Sequence, residues 1–600
     1  MIAAHITHEA VEKVGGIGAV IAGLVTSKAY QRTFSRTVVA GPLLATDRPA
    51  AQRLGPGGKV LYSSLDDVDA GGWAGRFKPV EQTYQVGIIY GIRKITNGNH
   101  PDSAEVEVLL VDVFRYNRDR LNLFKAELFS KFAAPSERFE HIWEYEEYVR
   151  LAEPAYEALG VIGCRGSAEE PLILLAHEYM GIPTALKAIL DGPPHVRTIF
   201  YAHEVAPVRH VVEKHEGHDL MFHNLLAAGE QAGKSLEEFF PQVRDNFKYA
   251  LVKAARHCDA IFAVGDMVAR EMRFLDPSCR DLPVEVVYNG VPASRQTLEE
   301  RCRYRAGMIE YAKNLFGSKP DYIFTHVARP VLSKGIWRDL GVLHELDGLL
   351  SQAGKSAAYF MLGTLAGQRR TKDVLHMERS YGWPVHHQLG YPDLCNGEET
   401  PAEMFEDFNR NHEAVRVVLV NQFGWESQLC GLRMPRQMSL ANIRQGTDVE
   451  FGLSVYEPFG ISQLEPLSYG AICVVSNVCG CLGFVRRCAA GRIPANVLEA
   501  DFTRLPTSCQ AGLPRRAGVD PRQATQIGRA DRDVVEAVED KRLAEELFRR
   551  LPKTQAEMAE LLDSGWELGK RMDWEPVVRD LFGPAVQRTW ELDRINGSAT

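Results

Sequence analysis

The sequence predicts an α/β chain with parallel sheets, organised as two doubly wound domains. Two observations carry this. Short, almost wholly apolar segments recur along the chain, as expected of strands buried on both faces. Helical stretches lie between them, and strand–helix alternation is the signature of βαβ units.

In chain order, the first-half segments are Val106–Val111, Leu172–Ala176, Thr198–Ala202, Ala260–Val264 and Val284–Tyr288. Those of the second half are Tyr322–Val327, Ala357–Leu362, Val415–Val420 and Ile472–Ser476. Helices are expected at Pro183–Leu190 and Phe247–Cys258. A polar, helical stretch over Gln296–Lys319 interrupts the alternation, which resumes at Asp321. This places a first domain over 1–318 and a second over 319–505. Residues 365–412 carry few strand signals and read as an insertion. Residues 506–530 are rich in Pro, Gly and Arg and read as a linker, and the tail to 600 is helical. No fixed-period repeat is present.

Composition narrows the class without naming a chemistry. Hydrophobic residues are 45% and charged residues 24% of 600, ordinary globular values. The formal net charge of −9 argues against a broadly basic nucleic-acid binder. The amino terminus lacks a basic region followed by an apolar one, and no run of 18 or more apolar residues occurs, so a cytoplasmic protein without a spanning segment is expected. The cluster Cys473, Cys479, Cys481 and Cys488 lies in and after a Val-rich strand and does not have zinc-site spacing, so reduced structural thiols are expected. His210, His215, His218 and His223 match no standard zinc pattern either. No metal site is therefore predicted.

Five segments carry candidate chemistry. Gly15, Gly16 and Gly18 follow the first strand and precede an apolar helix, where a backbone turn can approach a phosphate. A plain tight turn explains those glycines equally well. His177–Glu178 and His203–Glu204 each end a predicted strand, the edge where open α/β sheets bind ligands. Arg329 and Lys334 follow the strand ending at Val327, and two cations at a strand end suit a diphosphate. The sharpest segment runs from Val455 to Gly470 and holds Glu457 and Glu465. A helix starting near Gly460 would offer the amides of Gly460, Ile461 and Ser462 to an anion. The two carboxylates would then accept from sugar hydroxyls, a pairing that fits a nucleotide sugar.

Together these segments resemble the retaining nucleotide-sugar glycosyltransferases of the GT-B fold, with the glycogen and starch synthases nearest. Lys13-Val14-Gly15-Gly16-Ile17 is similar to the synthases' amino-terminal glycine motif. Ala176-His177-Glu178-Tyr179 resembles their His-Asp-Trp stretch, with Glu in place of Asp, and His203 resembles their active-site His. Asn289-Gly290-Val291, the Arg329 and Lys334-Gly335 pair, the Glu457-to-Glu465 motif and Met572-Asp573-Trp574-Glu575 follow in family order. Glu465 is present here, whereas glycogen synthases of the bacterial type usually lack it.

The resemblance implies two Rossmann-like domains facing a cleft, with the last helix crossing back to the first. It implies hexose transfer, with glucose the expected hexose, from an ADP- or UDP-hexose to a glycan or other hydroxyl acceptor. Arg329, Lys334, Gly460 and Ile461 would hold the diphosphate. Glu465 would bind the ribose, and Glu457 and His203 the hexose. Lys13, Gly15 and Gly16 would close over the phosphate. Fixed cations take the place of a divalent metal, and no cofactor beyond the donor is implied. First-domain loops at 67–103 and 205–240 would form the acceptor surface. The sequence leaves open the donor base, the acceptor (glycan, small molecule or lipid-linked sugar) and the oligomeric state. It also leaves open a phosphorylase, an epimerase, or a non-catalytic binding subunit on the same scaffold.

Overall fold

A computed structural model of the chain describes residues 1–11, 15–45, 47–97, 102–505 and 521–592. The chain forms two compact units. The first comprises Met1–Arg209, Gly233–Gly290 and Trp574–Thr600, and the second His210–Ala232 and Val291–Asp573.

The first unit holds ten strands: β1 (Ile2–Ile6), β2 (Arg36–Pro42), β3 (Gly58–Ser63), β4 (Val68–Asp69), β5 (Gly87–Thr96), β6 (Ser103–Asp112), β7 (Leu172–His177), β8 (Val196–Ala202), β9 (Ala260–Ala263) and β10 (Val284–Val286). Their order is β10-β9-β8-β7-β1-β2-β6-β5-β3-β4. From β10 to β6 all neighbours are parallel, but β5 runs antiparallel to β6 and to β3, and β3 to β4. Parallel sheets were expected, and the first sheet is parallel except at this edge. Lys59, Arg93, Lys94 and Glu105 interrupt the apolar runs that mark a strand covered on both faces.

The second unit holds β11 (Tyr322–Val327), β12 (Ala357–Leu362), β13 (Val415–Val420), β14 (Val449–Gly452), β15 (Ile472–Ser476) and β16 (Val497–Ala500). All pairs are parallel, in the order β13-β12-β11-β14-β15-β16. Side chains alternate between two cores. Ala357, Tyr359 and Met361 of β12 enter one, and Ala358, Phe360 and Leu362 the other.

Two boundaries fall elsewhere than the sequence suggested. The helix Leu298–Phe316 belongs with the second unit, because Arg301 and Arg305 both grip the buried Asp448 beside β14. In the tail, only Trp574 onward lies in the first unit. The helix Arg529–Arg550 gives Leu543, Ala544 and Leu547 to the second unit's core. Within the first unit the Trp574 indole fills a slot whose walls are glycine. A Cβ on Gly23 would lie 2.0 Å from it, and one on Gly290 2.5 Å.

The 205–240 region expected as loop contains the helix His218–Ala232, which belongs to the second unit. Asp219 explains why: its carboxylate receives both terminal nitrogens of Arg338, at 2.7 and 2.9 Å, with both side chains fully buried. The 365–412 segment forms helices Thr371–Tyr381 and Glu399–Asn411. Arg369, 3% exposed, ties them to the sheet through Thr364, Glu398 and the carbonyls of Pro392, Asp393 and Asn421. Among the described residues no helix is long and apolar enough to cross a membrane.

Candidate functional site

Strand order decides where ligands are bound. In the parallel part of each sheet the order reverses direction at one point, between β7 and β1 in the first and between β11 and β14 in the second. Loops leave such a point in opposite directions and open a crevice at the carboxyl ends of the strands.

In the second unit the loops after β11 and β14 meet at that crevice. Val455 and Tyr456 donate backbone hydrogen bonds to the Ser333 carbonyl, at 2.9 and 3.3 Å. Gly335 takes φ +63°, and a Cβ there would lie 2.2 Å from the Leu453 carbonyl oxygen, so the position needs glycine on both counts. Pinned this way, Lys334 Nζ pairs with Glu457. An ammonium has three donors, and this contact uses one. Arg329 is exposed in the same loop.

The Glu457–Glu465 segment is built differently from the single helix expected. One α-turn, Ile461–Leu464, passes into a 3-10 turn, Glu465–Tyr469. Pro466 has no N–H to continue the α-ladder to the Ser462 carbonyl. Arg444 Nη2 donates to that carbonyl instead. The same guanidinium bonds Glu450 at 2.7 Å and pairs with Glu465 at 3.2 Å. Burial raises the Glu450 carboxyl above its usual range, against the pull of Arg444. Gly460 starts the turn at φ +92°, where a Cβ would lie 2.7 Å from Gln463 Oε1. Among the described residues the amides of Gly460, Ile461 and Ser462 meet no acceptor. The neighbouring helix Gly480–Cys488 is already engaged, as Gly480 N and Cys481 N donate to the carbonyls of Glu457 and Phe459. Cys473, Cys479 and Cys481 are buried free thiols.

In the first unit, His5 on β1, His177 at the end of β7 and His203 just after β8 converge at the switch point. His177 bridges the other two, at 2.8 Å on each side. His177 is therefore buried, and of the two predicted histidines only His203 is partly exposed. Glu178 is buried at φ +57°, a strained angle for a non-glycine residue, and its Oε1 accepts from Glu204 N at 2.6 Å. Burial and the neighbouring Glu204 push its carboxyl well above the usual range. Gly16 caps the helix Ile17–Thr26, but Gly18 N donates to Glu9 Oε2 at 2.7 Å. A protein carboxylate thus takes one of the amides offered to phosphate. Lys13 lies outside the described residues.

Sequence reasoning missed Arg444, His5, Tyr30 and Glu9. Each is a lone residue within a helix, strand or turn, and no spacing marks it. His218 bonds the nearby Val212 carbonyl, and His215 the Thr525 carbonyl, 310 residues away in sequence. Among the described residues no group of three or more His, Cys, Asp and Glu side chains is arranged to hold a metal ion.

No protein-family model and no curated protein matches the chain. Solved structures do. The catalytic domain of starch synthase IV from Arabidopsis thaliana, bound to ADP and acarbose, matches with a TM-score of 0.52 at 13% identity, covering 98% of this chain and 99% of that one. Sucrose-phosphate synthase from Thermosynechococcus elongatus has a TM-score of 0.47 at 12% identity, with 98% of each chain covered. The UDP-forming α,α-trehalose-phosphate synthase from Burkholderia vietnamiensis also scores 0.47 at 12%, covering 98% of this chain and 99% of that one. The fold is the two-sheet α/β architecture of GT-B proteins.

Proposed function

We propose that this protein is a retaining hexosyltransferase that moves a hexose, glucose by resemblance, from an ADP- or UDP-hexose to a glycan or other hydroxyl acceptor. One observation supports the reading: after the strands of the second switch point Lys334 pairs with Glu457, Arg444 pairs with Glu465, and the three amides between those carboxylates in sequence meet no acceptor among the described residues. Cations and amides suit a diphosphate, and carboxylates suit sugar and ribose hydroxyls.

In this reading Arg329, Lys334 and the amides of Gly460 and Ile461 hold the diphosphate, with Ser462 beside them. Glu465 accepts from the ribose and Glu457 from the hexose. The acceptor oxygen bonds to the anomeric carbon as the carbon–phosphate oxygen bond breaks, on the same face. The acceptor's proton passes to the departing phosphate oxygen. Charge builds on the diphosphate, where fixed cations stabilise it without reorganising. By the resemblance alone, His203 would contact the hexose and Gly15 and Gly16 the phosphate.

The experiment is a panel of ADP-, UDP- and GDP-hexoses with glycan, small-sugar and lipid-linked acceptors. Released nucleoside diphosphate is the readout, and NMR gives the product's anomeric configuration. Turnover with retention is expected. No release from any donor with any acceptor would overturn the reading, and donor binding alone would point to a binding subunit. Activity is expected to survive EDTA, because side-chain cations supply the charge. Loss restored only by added metal would contradict that.

A further inference from the structure

One hydrogen-bonded file of side chains runs through the first unit to His203. Tyr30 Oη lies 2.8 Å from His5 Nε2, and His5 Nδ1 lies 2.8 Å from His177 Nε2. His177 Nδ1 lies 2.8 Å from His203 Nε2. The imidazoles are layered, with successive ring centroids 5.1 Å apart. Tyr30, His5 and His177 are at most 1% exposed, whereas His203 is partly open and its Nδ1 bonds no atom of the described residues.

The protons in such a file are not independent. A neutral imidazole has one N–H and one lone pair. Both nitrogens of His5 and both of His177 are engaged, so every bond in the file points toward His203 or every bond points away. Burial pushes His5 and His203 down to about 3, and His177 well below the ordinary histidine value, so all three are neutral near pH 7. The far end breaks the tie. Thr37 Oγ1 donates to Tyr30 Oη at 3.3 Å, so the phenol's own proton goes to His5 Nε2. In the opposite order the phenol would accept twice, and its buried proton would lose the 2.8 Å acceptor, an arrangement folded proteins avoid.

We propose that Tyr30, His5 and His177 hold His203 as its Nδ1–H tautomer. The carboxyl edge of the first sheet then presents an N–H donor rather than a lone pair. Tyr30 and His5 are positioning residues, remote from any ligand. The group recognised is an oxygen acceptor, and on the transferase reading, on which this part rests, it is a hydroxyl oxygen of the transferred hexose. His203 then orients the sugar by donating to it and does not withdraw a proton from the acceptor alcohol. An assigned orienting partner that fixes which ring nitrogen is protonated is how histidines are matched to their task.

The test reads protonation directly. The full chain, labelled with 15N-histidine, is examined by long-range proton–nitrogen correlation at pH 7.5, with signals assigned by loss in His5→Gln and His203→Gln. The expected result for the unaltered protein is Nδ1–H with unprotonated Nε2 at His5, His177 and His203. Nε2–H at His203 would overturn the proposal, and this needs no variant to fold. Tyr30→Phe keeps the ring and removes the terminal donor, so His203 is expected to become a mixture of tautomers. An unmoved His203 signal in folded Tyr30→Phe would overturn the assigned role of Tyr30. If turnover is found, Tyr30→Phe should lower kcat by about twofold or more, in step with the surviving Nδ1–H population, with donor KM little changed. A tautomer result as expected with no turnover on any donor would sink the transferase reading and leave the file standing.

Discussion

Lys334 and Glu457, 123 residues apart in sequence, form an ion pair at the carboxyl edge of the second sheet. Neither loop reaches the other by itself. They meet because β11 and β14 are hydrogen-bonded neighbours, and each strand delivers its following loop to the same edge.

On the transferase reading this pair is central, so removing the cation should be costly. Lys334→Ala should lower kcat about 10²- to 10³-fold, the scale of losing one preorganised charge stabiliser. Nucleoside diphosphate release at saturating donor measures it. A loss below about threefold would remove Lys334 from the reaction.

Arg338 offers a stability test that no activity assay confounds. Its guanidinium bonds Asp219 twice and Glu536 once, at 2.7 to 2.9 Å. Arg338→Ala leaves buried carboxylates without their cation and should cost about 3–5 kcal/mol in urea unfolding. A milder loss is expected for Asp219→Asn, which keeps the shape and an acceptor.

The glycine slot around Trp574 is equally specific. Gly290→Ala would drive a methyl to 2.5 Å from the indole, so a loss of about 1–3 kcal/mol is expected from overpacking. Combined with Trp574→Leu, the two losses should add to less than their sum, because the smaller side chain relieves the clash. Strict additivity in a double-mutant cycle would refute the contact.

Acid sensitivity follows from the buried histidines. The folded-state values of His5 and His203, about 3, lie below the ordinary 6.5. Between those values the unfolded chain binds more protons, so the unfolding free energy rises with pH and is lost as pH falls below 6.5. Each such imidazole contributes at most roughly 1.4 kcal/mol per pH unit. Urea unfolding across pH 4.5–7 should show a shallower slope in His5→Gln than in the unaltered protein.

Much of the site was legible because its chemistry is local. Lys334-Gly335 and Glu457 to Gly460 each carry a cation or carboxylate beside a glycine needed for positive φ, and short spacing survives in sequence. Arg444 was not legible. Its three contacts lie on β14, at Glu465 and at the Ser462 carbonyl, and no pattern around residue 444 announces them. Glu465 looked like the inner residue of one helix, until Pro466 and Arg444 together turned that helix into two short turns.

The sequence by itself determined the α/β class, most of the buried strands and the residue types of the candidate site, because burial on both faces and glycine-dependent turns leave local signatures. Only the tertiary structure decided the rest: the antiparallel edge of the first sheet, the passage of residues 210–232 into the second unit and the line of imidazoles behind His203. Those depend on which strands become neighbours and on single polar residues finding buried partners far away. Such pairings are properties of the packed chain, and no local spacing encodes them.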